Sequence, residues 1–411
     1  MLKKDPKISL LSVDIAKKKM ISSIKNKLKT EYINLEDLEN RVLAEDIFSK
    51  VNIPEYNNAA VDGFALRSIC LRKKINKFKV IGESLPGKPF DKEVKEGESI
   101  KIYTGAYLLD NNKTDTIIME EDCDVKKKLL KLKVQPELFS NIRKKAEDIK
   151  KEDKVFCKGT KIRAVDLAQL SSMGLKKVKV YKKLRVSIFS TGDEINKKTK
   201  SKYTIYDANK LTLVTMFRKI GCDVKDLGVI EDNLTKTKKK IYSVLKNSDL
   251  IVTSGGISSS KVDKIGQTLS KFGKIQFWRL AIKPGRPFAF GSIKDKPFIG
   301  LPGNPVAAIV TFFMIVIDYV KKKSGNNVKP IIERVLPANF EMKKKLGRKE
   351  WLRGKLEVLN KKQFLTKYPT TGSGIISSIS KSDGIIEIDE KKRNIRKGTL
   401  LKFFRYEDML N

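Results

Sequence analysis

The run Leu250-Ile251-Val252-Thr253-Ser254-Gly255-Gly256-Ile257-Ser258 decides how this chain is read. Its first residues are an apolar run of strand length, and Ser254-Gly255-Gly256 stops that run abruptly. Val262, Ile265 and Leu269 follow at helical spacing. Beyond them come Phe277-Trp278-Arg279-Leu280-Ala281-Ile282-Lys283-Pro284-Gly285-Arg286-Pro287 and Ile299-Gly300-Leu301-Pro302-Gly303-Asn304-Pro305, the latter leading into a long apolar helix. Two strand ends thus open into glycine loops at helix starts, with a basic hairpin between them. Free backbone N–H groups and the helix dipole make such loops anion sites, and glycine allows close approach.

The same pattern extends upstream. Val186-Ser187-Ile188-Phe189-Ser190 ends in Thr191-Gly192-Asp193-Glu194, and a helix from Lys210 to Ile220 follows the cap-like Asp207-Ala208-Asn209. A strand from Asp223 to Val229 ends near Glu231-Asp232, and a helix from Leu234 to Lys246 returns to Leu250. Alternating strands and helices predict a mostly parallel sheet, whose ligand crevice lies beyond the carboxyl ends of the strands. Backbone donors and hydroxyls there suit a phosphate, and Lys283, Arg286 and nearby Arg279 suit its charge. Asp193, Glu194, Asp232 and Asp263 could hold a divalent cation through oxygen or orient water. Neither a Walker A loop nor a dinucleotide fingerprint is present.

Around this α/β segment the patterning changes. Ile8 to about Leu28 reads as an amphipathic helix, and Arg163 to Met173 as another, ended by Gly174. Short alternating runs at Phe78–Gly82, Ser99–Gly105, Thr116–Glu121 and Leu129–Val134 predict a small β-barrel or sandwich. Asp62-Gly63, between apolar residues, reads on spacing as a turn. A second β module, with Gly372-Ser373-Gly374 in a loop, is predicted from Glu333 to Phe404.

At 411 residues the chain is long enough for several cores, and 40% hydrophobic with 33% charged residues describes a soluble globular protein. No apolar run is long enough to span a membrane, and the N-terminus lacks the apolar core of a signal peptide. Four scattered cysteines suit a reducing cytoplasm. The net charge of +39 is mostly lysine, spread over every segment, so no specific nucleic-acid partner is expected. There is no histidine, which excludes a Ser-His-Asp triad and histidine-ligated zinc. Catalysis must come from carboxylates, lysine or arginine, hydroxyls, backbone amides and oxygen-bound cations.

Beyond this class, the motifs in order resemble the molybdopterin molybdenumtransferases, the MoeA-type family that includes the E domain of gephyrin. They are Pro54 with Asn57-Asn58-Ala59-Ala60-Val61-Asp62-Gly63-Phe64-Ala65, Thr104-Gly105-Ala106, Asn141-Ile142-Arg143 with Glu147-Asp148, and Ser190-Thr191-Gly192-Asp193-Glu194. Ser254-Gly255-Gly256-Ile257-Ser258 with Asp263, Lys283-Pro284-Gly285-Arg286-Pro287 and Gly300-Leu301-Pro302-Gly303-Asn304-Pro305 complete the set.

The resemblance implies a multidomain α/β plus β fold. A helical or mixed domain would comprise residues 1–47 plus 140–180, with an inserted β domain at 48–139. A three-layer α/β molybdopterin-binding domain would span 181–326, and a C-terminal β-barrel 327–411. It also implies a homodimer supplied by a molybdopterin adenylyltransferase. The implied reaction takes adenylylated molybdopterin and molybdate, uses Mg²⁺ and releases AMP.

The residue roles it implies are as follows. Asp62, Glu194, Asp232, Asp263 and Lys283 would be catalytic, with Glu194, Asp232 and Asp263 also candidates for Mg²⁺. Ser254, Gly255, Gly256, Pro302, Gly303, Asn304 and Pro305 would cradle the ligand, beside Arg143, Arg279 and Arg286. Asp62 and Thr104 would reach the site across the dimer interface, and Arg353 and Ser373 from the barrel. The chain departs from the family pattern at Ser258-Ser259-Ser260-Lys261, at Ala146 in place of glycine, at Thr371, and with arginine for lysine at 279 and 286. Alternatives are another enzyme on the same α/β module, or a molybdopterin-binding or scaffold protein without insertase activity.

Overall fold

The computed structural model describes residues 10–25, 28–195, 204–231, 233–257, 271–327, 332–370 and 372–410. The chain divides into two compact units: residues 1–44, 159–163 and 179–411 form one, and residues 45–158 and 164–178 the other.

The first unit is built on a six-stranded sheet in the order Asp223–Ile230, Arg185–Thr191, Leu250–Ser254, Lys296–Leu301, Pro287–Ile293, Gly273–Arg279. The first four strands are parallel, and the last two join antiparallel as the hairpin anticipated around Lys283. Leu250–Ser254 is buried at every position, as expected of a central strand covered on both faces. Alternation sends Leu250 and Val252 into one core with Phe217, Val306 and Phe312, and Ile251 into a second with Phe189, Ile241 and Phe298.

The helix Ala208–Lys219 begins where the Asp207 side chain accepts from Lys210 N–H, and Leu234–Val244 where Asn233 accepts from Lys236 N–H. The apolar helix predicted after Asn304 starts with Pro305 at its first turn. It contains a π-helical turn over Phe312–Val316 and ends at Lys323. At the entry to the sheet, Arg185 grips Asp249 by two side-chain bonds of 3.0 and 2.9 Å, which pins two central strands in register.

The N-terminal helix is shorter than its apolar spacing suggests, Val13–Ser22 rather than Ile8 to about Leu28. Ser12 caps its start. At its end the Ser22 and Ser23 hydroxyls bond back to the carbonyls of Lys19 and Met20, which favours termination. The C-terminal strands Arg334–Pro337, Lys349–Leu359, Lys362–Lys367, Gly384–Ile388 and Leu400–Arg405 share a sheet around Leu352, Ile386 and Phe403. Two short helices, Ser377–Ser380 and Tyr406–Leu410, accompany them. The sheet has an outer strand that local patterning does not reveal: Ile282–Lys283 pairs in parallel with Lys349–Glu350.

The second unit holds a mixed six-stranded sheet in the order Thr116–Met119, Gly63–Leu66, Glu98–Ile102, Lys77–Ser84, Leu129–Leu132, Cys123–Lys126. Gly63 is obligatory in that sheet, since a Cβ there would lie 1.9 Å from the carbonyl oxygen of Ile118. Among the described residues, no helix is long and apolar enough to cross a membrane.

Candidate active site

A cavity of about 860 Å³ opens at the carboxyl edge of the parallel strands. Three strand ends reach it. Thr191, Gly192 and Glu194 follow the first strand of the segment, Ser254-Gly255-Gly256 follow the central one, and Pro302-Gly303-Asn304-Pro305 follow Lys296–Leu301. The hairpin supplies Lys283 through Pro287, and the C-terminal module supplies Ser373 and Gly374.

Gly255 turns with φ +88°, and a Cβ at that position would meet the Thr191 carbonyl oxygen at 2.6 Å. Only glycine lets these two strand ends come so close. Asn304 stands at the start of the apolar helix and its Nδ2 donates to Ser373 Oγ at 2.9 Å, tying the C-terminal loop to the glycine loop. The cavity wall is therefore made of glycine loops, a helix start and two cations, Lys283 and Arg286, with the carboxylates of Glu194 and Asp207 beside them.

Asn209, unremarked in the sequence except as part of a cap, organises the floor. It is 8% exposed, and its Nδ2 donates to Ser254 Oγ at 2.8 Å and to Gly303 O at 2.6 Å. Gly303 O can only accept, which fixes the amide orientation. Ser254 Oγ donates onward to Pro302 O at 3.3 Å. One amide thus spends both of its hydrogens clamping two glycine loops together. Among the described residues its Oδ1 has no hydrogen-bond partner, and the same is true of Ser190 Oγ and of Asp207 Oδ2, which keeps an ionic contact of 4.0 Å with Lys210 Nζ; all three residues line the cavity. The sequence signal was present in Asp207-Ala208-Asn209, but a helix cap explains those residue types equally well.

The cavity thus gathers Glu194, Ser254, Gly255, Gly256, Lys283, Arg286, Pro302, Gly303, Asn304, Pro305 and Ser373. Arg279 sits outside the lining, at the base of the hairpin opposite Pro287, and its carbonyl accepts from Leu11 N–H. Arg353 lies behind the Ser373 loop, 1% exposed. Its Nη2 donates to the carbonyls of Thr370 and Gly372 at 3.3 and 3.2 Å, and its Nε to Ser378 Oγ at 3.0 Å. Burial pulls its pKa downward, against the pull of Tyr406. Its direct contacts thus shape the loop that presents Ser373.

In the other unit, Asp62 Oδ1 accepts from both the N–H and the hydroxyl of Thr104, each at 2.7 Å. These bonds hold the Asp62 carboxyl below its usual pKa. Arg143 is exposed in the short Ile142–Arg143 strand, paired with Asn58–Ala59. Asp232, Asp263, Thr371 and the Ser258–Lys261 stretch lie outside the described residues. Among the described residues, no three carboxylate or cysteine side chains gather as a metal site. Glu194 is the described member of the carboxylate set expected for Mg²⁺.

A mostly parallel sheet covered on both faces, with glycine loops and cations at its carboxyl edge, is an architecture suited to an anionic ligand. Residues 187–322 match the family described as "Probable molybdopterin binding domain". Residues 11–174 match "MoeA N-terminal region (domain I and II)", and residues 335–404 match "MoeA C-terminal region (domain IV)". The chain is 34% identical over 407 residues to a molybdopterin molybdenumtransferase of Haemophilus influenzae, covering 98% of this chain and 100% of that one. Gephyrin of Dictyostelium discoideum is 27% identical, over 88% of this chain and 57% of its own length. A crystal structure of the molybdopterin biosynthesis MoeA protein from Pyrococcus horikoshii superposes with a TM-score of 0.84 at 27% identity, covering 97% of this chain and 100% of that chain. The chain belongs to the MoeA family of molybdopterin molybdenumtransferases.

Proposed function

We propose that this protein inserts molybdenum into molybdopterin, taking adenylylated molybdopterin and molybdate as substrates, cleaving the adenylate and releasing AMP. The observation that carries this reading is the cavity itself. Two glycine loops clamped by Asn209 face Lys283 and Arg286, an arrangement suited to a phosphate ester and a tetrahedral oxyanion. Backbone donors and fixed cations of this kind act by stabilising charge on phosphoryl oxygens, with no need for an imidazole. The dithiolene sulfurs of the pterin are the ligands for the incoming metal, so the protein needs no cysteine or histidine to hold it.

Mg²⁺ belongs to the same proposal, with Glu194, Asp232 and Asp263 as its candidate holders; when bound it would neutralise phosphate charge. Asp62 would take part in the reaction, and Thr104 and Arg143 in binding. They would come from the β unit of the second subunit of a homodimer. Arg353 would support Ser373 from a C-terminal barrel, and Arg279 would add positive charge at the hairpin base. A cytoplasmic molybdopterin adenylyltransferase would supply the adenylylated substrate.

The test is AMP release from adenylylated molybdopterin, with and without molybdate and Mg²⁺, on wild type, Glu194→Gln and Asp263→Asn. Molybdate-dependent release by wild type, lost in the variants, is expected. Tight ligand binding by wild type with no release would make this a binding protein instead.

A further inference from the structure

Beneath the cavity lies a carboxylate that takes no part in its lining. The Glu350 side chain is 2% exposed, and its Oε2 sits 3.5 Å from Nζ of Lys283, whose side chain is 42% exposed. The two meet because Ile282–Lys283 pairs in parallel with Lys349–Glu350, secured by Lys349 N–H donating to Ala281 O at 2.9 Å. The cavity's lysine is therefore carried on the outer strand of the C-terminal sheet. The charge of Glu350 also acts on Lys344, whose ammonium donates to the carbonyls of Lys345 and Arg348.

A carboxylate buried this deeply is costly unless a cation compensates it. Glu350 Oε2 accepts no hydrogen bond among the described residues, and 3.5 Å is an ionic contact rather than a hydrogen bond. The ammonium of Lys283 is thus held in place by charge while its N–H donors stay available to a ligand. Without the carboxylate, a lysine on a four-carbon stem would sample many rotamers.

We propose that Glu350 is a positioning residue, fixing the Lys283 ammonium at the cavity so that it receives a tetrahedral oxyanion, phosphate or molybdate. The inference rests on the reading of Lys283 as a substrate-binding lysine.

Steady-state molybdenum insertion is measured on the full chain for wild type, Glu350→Gln, Glu350→Asp, Lys283→Met and the Glu350→Gln/Lys283→Met pair. Molybdate and adenylylated molybdopterin are varied in turn. Glu350→Gln should lose on the order of tenfold in kcat/KM, the worth of one ionic contact. Glu350→Asp should fall between it and wild type, and the double variant should be no worse than Lys283→Met. The substrate whose KM moves identifies which oxyanion the lysine holds. A double variant with multiplied losses, or Glu350→Gln with wild-type kcat/KM, overturns the proposal.

Lys283→Met with wild-type kinetics would instead remove the site reading on which the proposal rests. A separate readout covers variants that fold poorly. Lys283→Met strands a buried carboxylate and should lower the thermal midpoint, and adding Glu350→Gln should raise it again. No recovery in the double variant would refute the pairing.

Discussion

Replacing Asn209 by Asp keeps the shape of the side chain and removes both N–H donors that clamp the glycine loops. Gly303 O, 2.6 Å away, would lose its donor and face a carboxylate oxygen instead; Ser254 Oγ would lose the bond it accepts at 2.8 Å. Leaving buried acceptors unpaired costs about 1–3 kcal/mol each, so local opening of these loops should become easier by about 2–3 kcal/mol. The Gly255 amide, bonded to Leu301 O at 3.1 Å, reports on that opening. Its hydrogen-exchange protection should fall roughly 30- to 150-fold relative to wild type at about pH 8.

The sign of the pH effect follows from burial. A carboxyl at this position, shut from water and facing a carbonyl, has its folded pKa raised above the unfolded value of about 3.9. Between those two values the folded state binds more protons than the unfolded one, so stability falls as pH rises. The protonated acid can also donate one bond to Gly303 O. The protection deficit should therefore shrink at about pH 5 and be full at about pH 8. Wild-type protection in the variant at about pH 8, or an equal deficit at both values, would refute the clamp.

Other expectations follow from the same structure. Asp249 is opposed by burial but held by the hydrogen bonds and charge of Arg185, with the net effect of lowering its pKa. Its contribution is thus present above the unfolded value of about 3.9 and is lost as pH falls through the folded pKa. Since both side chains are about one-third exposed, Asp249→Asn should cost only about 1 kcal/mol near neutrality. That difference should vanish in acid, as read by urea unfolding at several pH values. Ala146 adopts φ +60°, a left-handed conformation that a Cβ disfavours. Ala146→Gly should therefore stabilise the chain by about 0.5–1 kcal/mol, visible as a raised thermal midpoint. An unchanged or lowered midpoint would mean that the left-handed backbone is not strained there.

What could be read from the sequence was what neighbouring residues determine. Leu250–Ser254 is a strand because five consecutive buried residues need cover on both faces, and that run is visible in the letters. The caps at Asp207 and Asn233 and the stops at Gly174 and Gly221, with φ +70° and +93°, are equally local. The cavity's glycine loops could be placed on one edge because parallel βα units put every strand's carboxyl end on the same side. What could not be read are relations between distant residues. The clamp joins Asn209 to Ser254 and Gly303, separations of 45 and 94 residues. Gly63 is explained by Ile118, and Glu350 by a two-residue strand carrying Lys283.

These distant relations follow one physical rule. Glycine loops supply backbone donors but, by their freedom, cannot hold themselves in place. Something rigid must fix each of them, and in this chain the fixing groups are polar side chains, Asn209 and Arg353 buried and Asn304 exposed. Asn209 fixes Ser254 and Gly303, Asn304 joins Ser373 to the start of the apolar helix, and Arg353 anchors the carbonyls on either side of position 371. An isolated polar residue such as Asn209 carries no periodicity, so its type alone cannot distinguish a cap from a clamp. Whether it acts as a clamp depends on which carbonyls lie within 3 Å, and that is decided only when the sheet brings its strand ends together. The ligand-cradling residues of such a site are therefore conspicuous in sequence, while the residues that make the cradle rigid are not.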